Sequence, residues 1–267
     1  LIAKNDLPDP NPASFYIRAL RDQPPYPQIV LPKRRMLHAT VKGRLPLEFK
    51  TSDDFGISKL VLHYKIGKSD WQEISLSKEH NDKEYPEKEI TSQYLFEFSK
   101  LVVKKDSSDG GVSERPLRKG DPIAIKLIAF DNNDVSGVGV KESQVIALEI
   151  LDDAELGALL HGRLKEVKME LRKAFNKQFK VKQELQIFES STTDLEMGDI
   201  AAVLQHSFAQ QAISRDISGQ GESLSDVLQT IQNNDLWDVY TRQKIEKVES
   251  IVRTLSFEEK SGHYQGN

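Results

Sequence analysis

The sequence predicts an α+β chain of two units in series, an immunoglobulin-like antiparallel β-sandwich followed by an α-helical bundle or coiled coil. Three observations carry this expectation. Between residues 28 and 151, short runs alternate apolar with polar side chains and are separated by turn-forming Asp, Asn and Gly. After Asp152-Asp153 the apolar spacing changes to alternating steps of four and three. The 267 residues also suffice for two modest cores, since a domain commonly takes ~100–150. The expected division is 1–24 as linker with the last strand of a preceding domain, 25–151 as sandwich, 152–259 as helical bundle and 260–267 as disordered tail.

At the start, Pro8, Pro10 and Pro12 hold the chain extended, and one strand is expected over 15–20. The run Asp22-Gln23-Pro24-Pro25-Tyr26-Pro27 reads as a stiff hinge. Strands are then expected over 28–31, 44–50, 59–66, 71–75, 93–98, 123–130 and 143–151. In the third of these Leu60, Leu62 and Tyr64 share one face, and Val61 and His63 the other. Turn chemistry lies between the strands: Asp53-Asp54-Phe55-Gly56, Gly67-Lys68-Ser69-Asp70, Lys119-Gly120-Asp121 and Asn132-Asn133-Asp134. About seven short strands with a tryptophan near the third suit the immunoglobulin-like sandwich, without the cysteine pair of antibody domains. The polar, glycine-containing stretch 106–119 is expected to be a mobile loop.

The helical unit opens with an N-cap at Asp152 or Asp153. Leu160, Leu164, Val167, Leu171, Ala174, Gln178, Val181, Leu185 and Phe188 then form a heptad seam with Gln178 as its polar member. Four helices are expected: the first to the Ser190–Thr193 run, a second to about 217, a third over 223–233 and a fourth from about 235 to 259. Ser218-Gly219-Gln220-Gly221 supplies the break between the second and third. The seam can close inside one bundle or pair between chains. The bundle is the expected arrangement, because the later helices need a surface to pack on.

Composition narrows the function. A net charge of −4 argues against a general nucleic-acid binder, and Lys33-Arg34-Arg35 reads as a solvated strand edge. Absence of cysteine removes disulfides and thiolate chemistry. No apolar run approaches the ~20 residues that cross a bilayer, so any membrane anchor is expected outside this sequence.

Few motifs carry chemistry. The six histidines share no helix face and no H-E-x-x-H pattern. Gly137-Val138-Gly139 and Gly219-Gln220-Gly221 are only fragments of phosphate loops, and G-x-S-x-G is missing. No catalytic residue is therefore assigned. The oxygen-bearing loops are more suggestive. Asp53, Asp54, Asp131, Asn133 and Asp134 are expected at one pole of the sandwich, and calcium takes ~6–8 oxygens at ~2.3–2.6 Å. The competing reading is that Asp and Asn serve as turn residues, bonding their own backbone. Phe55, Trp71, Leu164, Leu171, Leu185 and Trp237 are expected to be packing residues, with Phe55 plugging the sandwich end. Gln178, Leu171 and Leu185 mark the seam through which the helices would contact a partner.

Several motifs resemble those of one group of proteins. Tyr16-Ile17-Arg18-x-Leu20-x-Asp22-x-Pro24-Pro25 is similar to the junction motif of large envelope proteins of planctomycete-like bacteria. Asp53-Asp54-Phe55-Gly56-Ile57 resembles their D-D-[YF]-G-[LI] signature, and Ala129-Phe130-Asp131-Asn132-Asn133 a second recurring segment. Gln232-Asn233-Asn234-Asp235-Leu236-Trp237-Asp238 resembles the end of their glutamine- and charge-rich helices. The resemblance implies membrane-anchored proteins of the periplasm or cell envelope, with immunoglobulin-like repeats and no assigned activity. The function expected is a non-enzymatic structural or interaction module: the sandwich as spacer, the helices meeting protein partners or a second copy. The alternative is a sandwich that binds a ligand, calcium or a glycan, at the acidic pole.

Overall fold

The computed structural model describes residues 22–76, 87–106, 112–133, 137–191 and 197–261. The strand expected over 15–20 and the end of the tail lie outside them. Among the described residues the chain is a mixed α+β structure with several sheets and three α-helices.

One sheet has three strands in the order β1 (Tyr26–Leu31), β3 (Arg44–Ser52), β6 (Glu89–Glu97). The other runs β2 (Met36–Ala39), β11 (Ile146–Ile150), β9 (Pro122–Asp131), β4 (Ile57–Ile66), β5 (Gln72–Ser75), with β10 (Val140–Glu142) also on β9. Every pair is antiparallel except β2 with β11. Alternation buries one face of β3, placing Leu45, Leu47 and Phe49 beside Phe96 of β6. Against them pack Leu60, Leu62, Ile125, Leu127, Ile146 and Leu148 of the larger sheet, so both sheets share one core. β9 is covered on both faces. Its outward Lys126 bonds Glu142 at 2.6 Å and lies 4.5 Å from the centre of the Trp71 ring.

Several expectations need correction. The stretch expected as a loop over 106–119 contains β8 (Val112–Pro116), paired with β7 (Val102–Asp106). Asp121 grips Arg115 through two bonds of 2.7 Å at the foot of that hairpin. Phe55 does not plug the sandwich; it is 48% exposed. Trp71 is not in the central core but sits on the outer face, beside Lys65 and Lys126.

The helices are α1 (Asp153–Ser191), α2 (Met197–Asn233) and α3 (Val239–Ser261), three where four were expected. α2 runs straight through Ser218–Gly221. A Cβ on Gly221 would lie 3.4 Å from Val252 of α3, so this glycine allows close helix contact rather than ending a helix. α3 starts at Val239, later than the expected 235, because Asp235 and Trp237 take positive φ in the turn. The Asp238 carboxylate accepts the Thr241 N–H at 2.9 Å and caps it.

α1 begins with a reciprocal capping box: Asp152 Oδ1 accepts from Glu155 N at 2.8 Å, and Glu155 Oε2 from Asp152 N at 3.4 Å. Lys119 bonds both carboxylates, tying the cap to the sandwich. That Lys119 bond, with the Glu155 backbone N–H behind it, holds Asp152 below the usual carboxylate range. A depressed carboxyl stabilises above its unfolded pKa and loses that contribution as pH falls through the folded value. Asp152→Ala is therefore expected to lower the urea midpoint at neutral pH, and the gap to wild type should shrink on acidification. A gap independent of pH would count against the capping account.

Candidate functional site

β3 and β4 are joined by a turn closed through Asp53. Its Oδ2 accepts the N–H of Phe55 at 3.0 Å and of Gly56 at 2.6 Å. Gly56 has φ 137°, a region natural only to glycine. This is the Asx-turn role foreseen for the residue. Its other oxygen, Oδ1, is buried without a hydrogen-bond partner.

At the end of β9, Asp131 is only 1% exposed. Its Oδ1 accepts from Asn133 N at 3.1 Å and Gly139 N at 2.8 Å, which holds both against the end of β9. A Cβ on Gly139 would stand 2.3 Å from Asp131 Oδ2, so a side chain cannot fit there. Asn133 then donates its side-chain N–H to Asp22.

Asp22, Asp53 and Asp54 each place a carboxylate oxygen within 4.8 Å of the others. The structure thus gathers Asp53 and Asp54 near Asp131 and Asn133, through Asp22. Asp134 lies outside the described residues. Asp22 Oδ1, like Asp53 Oδ1, is buried and unpartnered. Burial pushes the Asp22 carboxyl up, the Asn133 amide partly opposes this, and the charges of Asp131 and Asp54 add to the rise. Two buried carboxylate oxygens without donors, with the exposed Asp54 carboxylate close by, offer ligands that suit a hard divalent cation. An oxygen-only donor set, without histidine or cysteine, matches calcium or magnesium rather than a transition metal. Asp22, Asp53 and Asp54 would be the ligands, and Asp131 a positioning residue.

No protein-family model matches this chain, and no curated protein matches it.

The helical seam closes within the chain. α1 and α2 run antiparallel, with Lys177 bonded to Asp216 at 2.7 Å and Glu184 lying 3.7 Å from His206. Ala174, Val181 and Ile213 are buried between them with Leu185 packed alongside, and Leu171 packs into the neighbouring cluster nearer the sandwich. Gln178 is exposed. α3 covers α2 only in part. Arg253 reaches Ser225, and Gln232 reaches Glu246, so the contact runs along the C-terminal half of α2.

Beyond that cover, apolar side chains stand in solvent on i, i+4 rows: Phe175 and Phe179 on α1, and Ile200, Leu204 and Phe208 on α2. Phe208 is 67% exposed. The heptad reading fixed on the buried seam and missed these rows. A signal was present: from Ile200 to Ser214 there is no Lys, Arg, Asp or Glu.

Proposed function

We propose that the chain is a non-enzymatic structural module whose helical hairpin pairs with the hairpin of a second copy. The observation that carries this reading is the exposed, charge-free stripe on the N-terminal half of α2. From Gly221 and Ser225, where α3 packs, steps of four and three lead back along α2 to Leu204 and Ile200. Soluble proteins rarely leave such apolar rows uncovered. A surface without charge suits itself, since a two-fold axis sets identical patches together without like-charge repulsion.

The β unit serves as the rigid base, and we read it as an immunoglobulin-like sandwich. The split first strand supports this: β1 pairs with β3 in one sheet, and β2 runs parallel to β11 in the other. The placement in a bacterial cell envelope rests on the motif resemblance alone. No described helix is long and apolar enough to cross a membrane.

Light scattering after size exclusion tests the pairing. Wild type at micromolar concentration should elute at twice the 30.3 kDa chain mass. The double variant Leu204→Glu/Phe208→Glu should elute as a monomer with unchanged helicity by circular dichroism. A wild type that stays monomeric at ~100 µM removes the self-association reading.

A second reading is carried by the orphaned oxygens of Asp22 and Asp53: the pole binds calcium, stiffening the turn and the hinge that meet there. The glycan version has less support, since the Trp71 ring is engaged by Lys65 and Lys126.

A further inference from the structure

At the opposite end of the sandwich from the acidic pole, a cleft of about 740 Å³ opens between β2 and the helices. That volume falls within the ~300–1,000 Å³ of small-molecule sites. Its walls carry Lys33, Arg34, Arg44, Arg163 and Arg253, against two carboxylates, Glu222 and Asp226. This is a concentration of positive charge in a chain whose net charge is −4.

The cations are not equivalent. Arg34 Nε is paired with Asp226 at 2.8 Å. Arg253 is bonded to Glu249 and to Ser225. Arg163, on α1, is half-buried, and its side chain has neither a hydrogen bond nor an ion pair among the described residues. Burial lowers its pKa, and the charge of Arg34 lowers it further, only partly offset by Asp226 and Glu166. A half-buried guanidinium beside another, with none of its five donors taken by a protein acceptor, is open to an anionic ligand.

Farther along the same cleft, α2 presents Gly219. A Cβ there would meet nothing within 4 Å. Glycine in a helix interior is less favourable than alanine by ~1 kcal/mol, and no neighbour requires its absence of side chain. A side chain added here would project into open space at the cleft wall.

We propose that this cleft binds a small polyanion through its phosphate or carboxylate groups, with the Arg163 guanidinium as the bidentate anchor. Arg34 and Lys33 stand at the rim, where they would meet further anionic groups. Planar two-point bonding to phosphate or carboxylate is what a guanidinium does better than an ammonium. The inference is independent of helix pairing and of calcium.

The test is isothermal titration of the full chain in metal-free buffer at constant ionic strength, with pyrophosphate in one arm and citrate in the other. Saturable 1:1 binding of either is expected, and whichever binds more tightly identifies the phosphate or the carboxylate class. Arg163→Gln should weaken binding at least tenfold. Its melting temperature without ligand should be no lower than that of wild type, because an unpartnered charge has been removed. Gly219→Leu should also weaken binding, by narrowing the cleft on an intact helix. Absence of saturable binding by both anions at ~10 mM, or equal affinity in Arg163→Gln, overturns the proposal.

Discussion

Calcium is expected to raise the melting temperature of the wild-type chain, while Asp22→Asn should remove that rise and at the same time stabilise the metal-free protein. Both follow from one arrangement. Without a cation, Asp22 shares the pole with Asp131 and Asp54, and burial and those charges hold its carboxyl above the usual range. A carboxyl raised on folding favours the folded state fully below its unfolded pKa and loses that advantage as pH rises through the folded value. In EDTA, wild type should therefore become less stable as pH rises through and just above the carboxylate range. Asp22→Asn lacks this loss and keeps an oxygen to accept from Asn133.

Calcium inverts the sign, because the ion binds the deprotonated carboxylates. A single ion at a hundred times its dissociation constant adds about 2.7 kcal/mol of stability, which is several degrees in a calorimetric scan. The wild-type gain should grow with pH where the EDTA series declines. If millimolar calcium leaves the wild type unmoved and Asp22→Asn changes nothing in EDTA, the acids are turn residues and no more.

The parts of this site legible in the sequence were those fixed locally. Asp53-Asp54 and Asp131 to Asn133 could be set at one pole because each follows a strand whose alternation is plain. β3 buries Leu45, Leu47 and Phe49 on one face, so its exit point is determined. Asp22 could not be foreseen as their neighbour. It lies on a proline hinge far back in the chain, and the Asn133 side chain reaches across to it. Phe55 shows the same limit from the other side: the turn is read correctly from Asp-Asp-Phe-Gly, but where its side chain goes depends on how the core is already filled.

Long-range contacts decided the rest of the fold. The four residues of β2 follow a basic run and show no period, and they form a strand because the edge of β11 is open to them. At 218–221, two glycines and a serine look like a helix end, yet α2 is continuous because Val252 packs against Gly221 and rewards close approach. Propensity is a weak prior where packing disagrees. The absence of charge between Asp199 and Arg215 is a matter of composition rather than of period, and it marks the surface on which the self-association reading depends.

The joint between the two units supplies the other large effect. Asn234 follows the end of α2 and is buried beneath the sandwich. Its Oδ1 accepts from Thr40 N at 2.7 Å and lies 3.3 Å from Thr40 Oγ1, and its Nδ2 donates to Thr230 O at 2.8 Å. Asn234→Ala leaves the buried Thr40 N–H without an acceptor, a loss of ~1–3 kcal/mol. Gly43 faces the same atom from the sandwich side. A Cβ there would stand 2.2 Å from Asn234 Oδ1 and 3.1 Å from Thr40 O. Gly43→Ala alone must therefore displace the asparagine and break the same bonds while straining the turn. In the double variant the clashing oxygen is gone, so the second substitution meets a lesser obstacle. Urea unfolding of the four proteins should give a combined loss smaller than the sum of the single losses by ~1 kcal/mol or more, beyond the ~0.3–0.5 kcal/mol scatter of independent sites. Additive losses would mean that Gly43 and Asn234 act separately, and that the sandwich and the helices are not joined through this contact.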